Sequence, residues 1–233
     1  HTLVDSLYDR YPDMTVRVAV IAYKDLDPES EDLSERPVEK LDFTTDVHQV
    51  ESFVGNVHPQ GGGDIPEDML AGLDEMSRLS WDVRSTRLAF VIADAPCHGQ
   101  RFHPFPDAFP DEPDPHGLTA EGILSTLDDH GVRLYFPRIN AATSQMIEEF
   151  RRTKLLETIE EVSFDDGEDE LPPVKLVARL QAIVTEAVSN VLFTAIRVAW
   201  SFPNDFPVNV SHFELVRRCC IDDFEKGHVV VVP

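Results

Sequence analysis

Short runs of consecutive apolar residues divide the first two thirds of the chain and predict a sheet. The runs are Val16–Tyr23, Arg87–Ile92 and Val132–Phe136, and none of them alternates strictly between apolar and polar positions. Strands of this kind are buried on both faces, which is typical of parallel sheets covered by helices. We therefore expect these three runs to be parallel strands of one sheet, with edge strands near Leu41–Thr44 and residues 155–162.

Between these runs, apolar residues recur at helical spacing and predict helices on the faces of the sheet. The helices are expected to start near Val47, Asp68, Thr119 and Ala142. Asp46 and Thr119 are residue types that cap helix N-termini. Strands that alternate with helices indicate an α/β fold, with an open, mainly parallel, Rossmann-like sheet joined by right-handed crossovers.

The chain divides into a folded region, a linker and a C-terminal extension. The strand and helix pattern occupies residues 1–162. Residues 163–174 are acidic and contain two prolines, which is typical of a linker. Residues 175–233 are expected to contain a long apolar helix over residues 176–198, and the segment from Ser201 onward predicts strand and loop without a defined role.

The most informative feature of the amino-acid composition is its excess of acidic residues. The 43 acidic residues outnumber the 20 basic ones and give a formal net charge of −23. Nucleic acids and anionic membranes bind basic surfaces, so we expect neither as a partner, and no apolar run reaches the roughly 20 residues of a membrane span. The three cysteines Cys97, Cys219 and Cys220 form no disulfide framework and favour a reducing compartment such as the cytoplasm.

Two features are the most informative. One is the glycine-rich segment Gly61–Asp68, and the other is Asp94, a lone aspartate after the strand Arg87–Ile92. Both would lie at the edge of the sheet where the parallel strands end and where ligands bind in α/β proteins. Asp64, Glu67 and Asp94 offer the oxygen ligands that a hard cation such as Mg²⁺ or Ca²⁺ needs, and the glycines allow a close backbone approach. Asp64 is explained equally well as a helix cap, whereas Glu67 and Asp94 fit a metal role better.

The cysteine and histidines that follow Asp94 raise two alternatives. Cys97 and His98, with His103 and His116, could hold zinc, but their spacing matches no structural zinc site, and hydrogen bonds within the loop explain the histidines more simply. Cys97 and His98 could also act as nucleophile and base, yet adjacent side chains point apart in an extended segment. The chain also lacks a phosphate-binding loop, a GxSxG elbow and an HExxH motif, so we expect no enzymatic activity in it.

Together these motifs resemble the von Willebrand factor A domain, in particular the branch attached to alpha-type protein kinases. A similar glycine loop occurs in hemicentin-like A domains, for which an extracellular location would be expected instead. The resemblance spans roughly residues 1–152. It rests on five features: Val16–Tyr23 followed by Lys24-Asp25, the segment Phe43-Thr44-Thr45-Asp46, the segment GGGDIPED, Trp81 before the next strand, and IADAPCHG at residues 92–99.

In this family a metal-ion-dependent adhesion site lies at the carboxyl edge of the sheet, and a carboxylate of a partner protein completes it. The resemblance implies that Asp94 is the third-loop ligand and that the second-loop ligand is either Glu67 or Asp64. It implies Mg²⁺, Mn²⁺ or Ca²⁺ as the cofactor and another protein as the partner. The alternative is a regulatory domain of an alpha-type kinase that needs no metal and binds through the Pro- and Phe-rich loop 102–115.

The family's first-loop ligands, an Asp-x-Ser-x-Ser pattern after a central strand, should precede the helical pattern around Leu3 and Leu7. Nothing precedes His1, so we expect the chain to be a fragment whose sheet lacks its first central strand. The strands Val16–Tyr23 and Arg87–Ile92 would then face each other across a gap or close up. Two carboxylates alone would leave most of a six-coordinate shell to water, so metal binding would be weak.

Overall fold

A mixed sheet with helices on both faces is the frame of the molecule. The computed structural model describes residues 9, 15–29, 36–58, 62–153, 159–163, 178, 181–189 and 227–232. Within this part of the chain six strands form one sheet in the order β2-β1-β6-β3-β4-β5. The strands are β1 (Val16–Tyr23), β2 (Val38–Thr44), β3 (Thr86–Val91), β4 (Arg133–Arg138), β5 (Ile159–Ser163) and β6 (Gly227–Val232).

The prediction that three apolar runs form parallel strands of one sheet is confirmed. β6 is parallel to both β1 and β3, and β3 is parallel to β4. The two predicted edge strands also form: β2 pairs antiparallel with β1, and β5 pairs parallel with β4. The chain is therefore a mixed α/β protein with one antiparallel edge strand on an otherwise parallel sheet.

The described residues form five helices, and the four predicted starting points are confirmed to within a few residues. Asp46 caps the first helix by accepting a hydrogen bond from the His48 amide, and Thr119 caps the third by accepting one from the Gly122 amide. The helices are α1 (Val47–Asn56), α2 (Met69–Ser77), α3 (Ala120–Asp129), α4 (Ser144–Arg152, after a 3₁₀ turn at Ala141–Thr143) and the helical residues 181–189.

Each face of the sheet buries its own apolar cluster. Ala19 and Ile21 of β1 contribute to the cluster under α2, α3 and α4. Val18 and Val20 contribute to the opposite cluster, which also contains Val184 of the helical residues 181–189 and half-buried side chains of α1. Because burial of one such side chain stabilises the fold by about 1.5–3 kcal/mol, two covered faces explain why β1 is apolar at almost every position.

The expectation of a gap between the strands Val16–Tyr23 and Arg87–Ile92 is wrong. β6 lies between them, with Val230 opposite Ala19 on one side and opposite Ala89 on the other. Unpaired edges on two adjoining strands would leave backbone N–H and C=O groups without partners, and a third strand satisfies both rows. Residues 229–232 are four consecutive valines, a β-branched sequence suited to such a central position.

The parallel strands all end at one edge of the sheet, and this edge carries the candidate residues. We use the term carboxyl edge for the ends of β1, β3 and β4, after Tyr23, Val91 and Arg138, together with the loops that meet there. The glycine-rich segment joins the same edge through a bridge between Glu67 and Cys97. Among the described helices, none has the length and apolar content needed to cross a membrane.

Candidate metal centre

Asp25 lies two residues beyond the end of β1, at the carboxyl edge, and its side chain is only 1% exposed. Its Oδ1 accepts hydrogen bonds from the Leu26 amide at 2.7 Å and from His98 Nε2 at 2.8 Å. Its Oδ2 is buried and has no hydrogen-bond partner among the described residues. Buried polar atoms in proteins are nearly always paired, so this oxygen calls for a ligand.

The glycine-rich segment packs its backbone directly against Asp25. A Cβ atom built on Gly62 would lie only 1.5 Å from Asp25 Oδ2 and 2.3 Å from its Cγ. No side chain fits at position 62 unless the carboxylate or the loop moves. The close approach that the run of glycines predicts is therefore an approach to Asp25, a residue that the sequence analysis does not single out.

Asp64 faces the same group from the glycine-rich segment. Its Oδ2 accepts a hydrogen bond from the Ala108 amide at 2.6 Å, while its Oδ1 is buried and unpaired within the described part of the chain. The capping explanation for Asp64 is wrong, because α2 begins at Met69 and its N-cap is Asp68. The hydrogen bond to Ala108 instead ties the glycine-rich segment to the long loop that follows β3.

His98 links two buried acids through its two ring nitrogens. Nε2 lies 2.8 Å from Asp25 Oδ1, and Nδ1 lies 2.8 Å from Asp107 Oδ1. Burial alone would lower the pKa of His98, but the hydrogen bonds to Asp25 and Asp107 outweigh it and raise that pKa to about 9. Without a metal, the ring is therefore an imidazolium at neutral pH, held between two carboxylates.

Asp107 is itself fixed by backbone donors. The Gly99 and Phe109 amides each donate to it at 2.8 Å, and its side chain is fully buried. Burial raises the pKa of Asp107, but these backbone hydrogen bonds and His98 together hold that pKa below its ordinary value. His103 Nε2 lies 3.2 Å from the second oxygen, Asp107 Oδ2, although the contact lacks hydrogen-bond geometry. Asp107 is thus an ionised carboxylate that orients the His98 ring.

Asp25, Asp64 and His98 form a group that could hold a metal ion. One ligand atom from each residue lies within 4.8 Å of the ligand atoms of the other two. They come from three separate segments: the end of β1, the glycine-rich segment and the loop after β3. Carboxylate oxygens and imidazole nitrogens are both common donors in protein metal sites.

The structure places Glu67 and Asp94 at the same edge but, in the described part of the chain, outside this close group of three. Glu67 is half-buried, and its pKa is raised to about 7, first by burial and then by the charges of Asp25 and Asp94. Asp94 is exposed, and its backbone carbonyl accepts a hydrogen bond from Asn140 Nδ2 at 2.8 Å. The edge therefore concentrates negative charge beyond the group itself.

Two neighbours of the site are held in their neutral forms. Burial raises the pKa of Tyr23 far above its ordinary value, and the nearby charges of Glu67 and Asp94 raise it further. Burial likewise raises the pKa of the Cys97 thiol well above its ordinary value. Since a nucleophilic cysteine must be a thiolate and both ring nitrogens of His98 face carboxylates, Cys97 and His98 are not arranged as a nucleophile and its base.

A second buried pair fastens the far end of the long loop. His116 Nε2 lies 3.1 Å from Asp68 Oδ2, with side chains 3% and 2% exposed. Asp114 Oδ1 accepts hydrogen bonds from the His116 and Leu118 amides at 3.0 and 2.7 Å. The loop is therefore anchored both at α2 and at Asp25, and this internal bonding explains most of its histidines.

Sequence reasoning finds Asp64 but does not single out Asp25, His98 and Asp107 as a group. A signal for Asp25 is present, because it is an acid within three residues of the end of a buried strand, as Asp94 is. His98 lies within the segment IADAPCHG, but only the fold shows which carboxylates it contacts. No local pattern identifies Asp107.

Comparison with known proteins gives one informative similarity. No protein-family model matches the chain. Over 154 residues, or 65% of its length, the chain is 32% identical to the alpha-protein kinase vwkA of Dictyostelium discoideum. The aligned region covers 24% of that protein, so the chain spans about a quarter of the length of this relative. The chain is therefore similar to one part of a much longer protein that carries a kinase name.

Proposed function

We propose that this chain is a protein-binding module of the von Willebrand factor A type, with a divalent cation at its carboxyl edge. The observation that carries the proposal is the close group of Asp25, Asp64 and His98. In this group Asp25 Oδ2 and Asp64 Oδ1 are buried and lack hydrogen-bond partners among the described residues. A shared cation would satisfy both oxygens at once.

The electrostatics of the edge support a cation. Glu67 is destabilised as a carboxylate by burial and by Asp25, Asp94 and Asp64, in that order, and only His98 opposes this effect. A divalent ion would relieve the repulsion, with Glu67 and Asp94 completing its shell directly or through water. Mg²⁺, Mn²⁺ or Ca²⁺ would suit an oxygen-rich shell of this kind.

Partner binding would depend on the cation. The chain carries a net charge of −23, so an acidic partner side chain would be repelled from this edge unless a cation neutralised it. Asp94 and Ile65, which is 47% exposed, lie on the accessible side of the edge. A partner carboxylate could there complete the metal shell while an apolar contact adds affinity.

A second candidate is a regulatory domain of an alpha-type kinase that works without a metal. Two observations favour it: the similarity to part of vwkA, and the imidazolium of His98, which already balances charge between Asp25 and Asp107. Such a domain would bind through the Pro- and Phe-rich loop 102–115. We propose no kinase activity for this chain.

Thermal unfolding with and without metal distinguishes the two functions. We expect millimolar Mg²⁺ or Mn²⁺ to raise the melting temperature of the wild type relative to EDTA, because a ligand at 100 times its Kd stabilises the native state by about 2.7 kcal/mol. Asp25→Asn should abolish the response. Asp129→Asn is the matched control, since Asp129 is an exposed acid at the end of α3, before β4 starts at the opposite edge of the sheet.

Two outcomes would overturn the metal-dependent function. A wild type that responds neither to these ions nor to Zn²⁺ would favour the regulatory domain without a metal. A response that survives in Asp25→Asn would place the bound ions elsewhere on this acidic chain.

A further inference from the structure

We propose that the cation site is a mixed imidazole–carboxylate site for a transition metal that accepts nitrogen ligands, such as Zn²⁺. In this site Asp25, Asp64 and His98 Nε2 are the ligands, and Asp107 is the positioning residue. The inference rests on the proposed function, because it assumes that the carboxyl edge binds a cation. It departs from the all-oxygen shell of the Mg²⁺ or Ca²⁺ kind expected from Asp64, Glu67 and Asp94.

His98 is aimed into the group. Its Nε2 lies 2.8 Å from Asp25 Oδ1, and the ligand atoms of His98, Asp25 and Asp64 lie within 4.8 Å of one another. A cation placed among these atoms would displace the proton that His98 Nε2 shares with Asp25, and that proton is released to solvent. The cation would then be bound by an imidazole nitrogen as well as two carboxylates. Imidazole favours Zn²⁺, Fe²⁺, Ni²⁺ and Cu²⁺, whereas Mg²⁺ and Ca²⁺ select oxygen ligands, so the donor set favours the first class.

The other ring nitrogen has the partner that metal-binding histidines normally have. Nδ1 lies 2.8 Å from Asp107 Oδ1, and Asp107 is held by the Gly99 and Phe109 amides. A carboxylate on the far nitrogen fixes the proton there, orients the ring and raises its basicity as a ligand. His98 and Asp107 are 3% and 0% exposed in their side chains, so water does not compete for this contact.

Asp25 supplies an independent sign that a ligand belongs here. It is a 1% exposed carboxylate whose Oδ2 has no hydrogen-bond partner in the part of the chain that the structure describes. Its position is fixed from one side by the Leu26 amide and from the other by the backbone of Gly62. A carboxylate that is held so tightly, with one oxygen that lacks a hydrogen-bond partner among the described residues, is prepared for a cation rather than for rearrangement.

Three protein ligands would leave a coordination position open. Zinc sites with three protein ligands bind water or an exogenous ligand in the fourth position. An exogenous carboxylate is the ligand that fits the proposed protein-binding role, because its oxygen can fill the open position from a partner protein.

Affinities for single metals test the inference. Isothermal titration with Zn²⁺, Mn²⁺, Mg²⁺ and Ca²⁺ should use a Cys219→Ser/Cys220→Ser background, which removes the adjacent thiols as alternative zinc ligands. We expect one Zn²⁺ per chain, bound at least tenfold more tightly than Mg²⁺. Co²⁺ in place of Zn²⁺ should give the strong visible absorption of a low-coordinate site with a nitrogen ligand, rather than the weak absorption of six oxygens.

Variants identify the ligands. His98→Gln should lower Zn²⁺ affinity by at least tenfold and change Mg²⁺ affinity much less. Asp107→Asn should lower Zn²⁺ affinity by about 10–100-fold, as expected for loss of the group that orients a metal-binding histidine. The matched control is His116→Gln, a buried histidine of the same loop that is paired with Asp68, and it should leave Zn²⁺ affinity unchanged.

The outcomes separate this inference from the proposed function. Binding of Mg²⁺ as tight as that of Zn²⁺, with no loss in His98→Gln, would overturn the inference and leave a cation-dependent module intact. No binding of any cation would overturn both. If His98→Gln fails to fold, the wild-type ratio of Zn²⁺ to Mg²⁺ affinity and the Co²⁺ absorption decide the question.

Discussion

Three separate parts of the chain hold the carboxylate of Asp25. The Leu26 amide fixes it to the end of its own strand, His98 contacts it from the long loop, and the backbone of Gly62 covers its second oxygen. Each contact constrains a different degree of freedom, so the position of this carboxylate depends on all three segments. A change in any of them should therefore appear both as lost stability and as lost metal response.

Gly62→Ala is the smallest such change. Its Cβ would overlap Asp25 Oδ2, so the loop or the carboxylate must move, and we expect a loss of about 1–3 kcal/mol together with most of the metal response. Urea unfolding with and without metal measures both effects. Gly55→Ala is the control, because no described atom lies within 4 Å of its Cβ and α1 should gain up to about 1 kcal/mol. Equal changes in stability and metal response in Gly62→Ala and Gly55→Ala would contradict the contact between Gly62 and Asp25.

Asp42 gives a prediction about pH that is independent of the metal site. It accepts hydrogen bonds from the Phe43 amide at 2.7 Å and from the Ser80 amide and hydroxyl at 3.1 and 2.9 Å. Burial raises the pKa of Asp42, but these hydrogen bonds lower it more, so its pKa in the folded chain lies below its ordinary value. The unfolded chain then binds more protons, and the stabilisation is present above the unfolded pKa and lost as pH falls through the folded one.

Asp42→Asn should therefore be less stable than the wild type near neutral pH, and the difference should shrink below about pH 4. Urea unfolding of both proteins across this range, for as long as they remain folded, measures the difference. A stability difference that stays constant with pH would mean that the ionised carboxylate makes no contribution.

Sequence reasoning succeeds where one residue's role follows from its place on a strand or in a turn. Asp64, which ends a glycine run, is predicted as a ligand and lies in the candidate group, whereas Asp25 also follows a buried strand, as Asp94 does, but is not predicted. His98 and Asp107 cannot be assigned this way, since their partners depend on how a long loop folds back on itself. Glu67 and Asp94 remain predictions as ligands.

The strands show a similar division between local and long-range information. β1, β3 and β4 follow from apolar runs because burial on both faces leaves a local signature. β6 has that signature in residues 229–232, but its neighbours are Ala19 and Ala89, far away in the sequence. An apolar run indicates that a strand is buried but not which strands it pairs with. The sequence alone therefore predicts an empty position between β1 and β3, where β6 lies.

Val230→Pro tests whether β6 is a central strand. Proline cannot donate to the ladder and is not tolerated between two paired neighbours, so we expect a loss of several kcal/mol and of cooperative unfolding. The matched control is Val83→Pro. Val83 is 84% exposed in a turn closed by the Ser85 amide and the Asp82 carbonyl at 3.1 Å, where proline should cost less than about 1 kcal/mol. A Val230→Pro variant that remains stable and unfolds cooperatively would show that β6 is not a central strand of the sheet.

The net charge of −23 affects every measurement on the intact chain. Any salt screens the repulsion among its carboxylates, so part of a metal response will be unspecific. We predict that NaCl raises the melting temperature of the wild type and of Asp25→Asn to the same extent. At constant ionic strength only the wild type should respond further to a divalent cation. If divalent ions raised the melting temperatures of the wild type and Asp25→Asn equally, the response would be charge screening rather than binding at the site.

Anomalous X-ray diffraction from crystals grown with Zn²⁺ tests the central claim most directly. We predict one strong peak per chain, bonded to Asp25, Asp64 and His98 Nε2 at about 2.0–2.2 Å, with Asp107 still on Nδ1. A fully occupied metal bound elsewhere, or no peak among these three side chains at saturating Zn²⁺, would contradict the account.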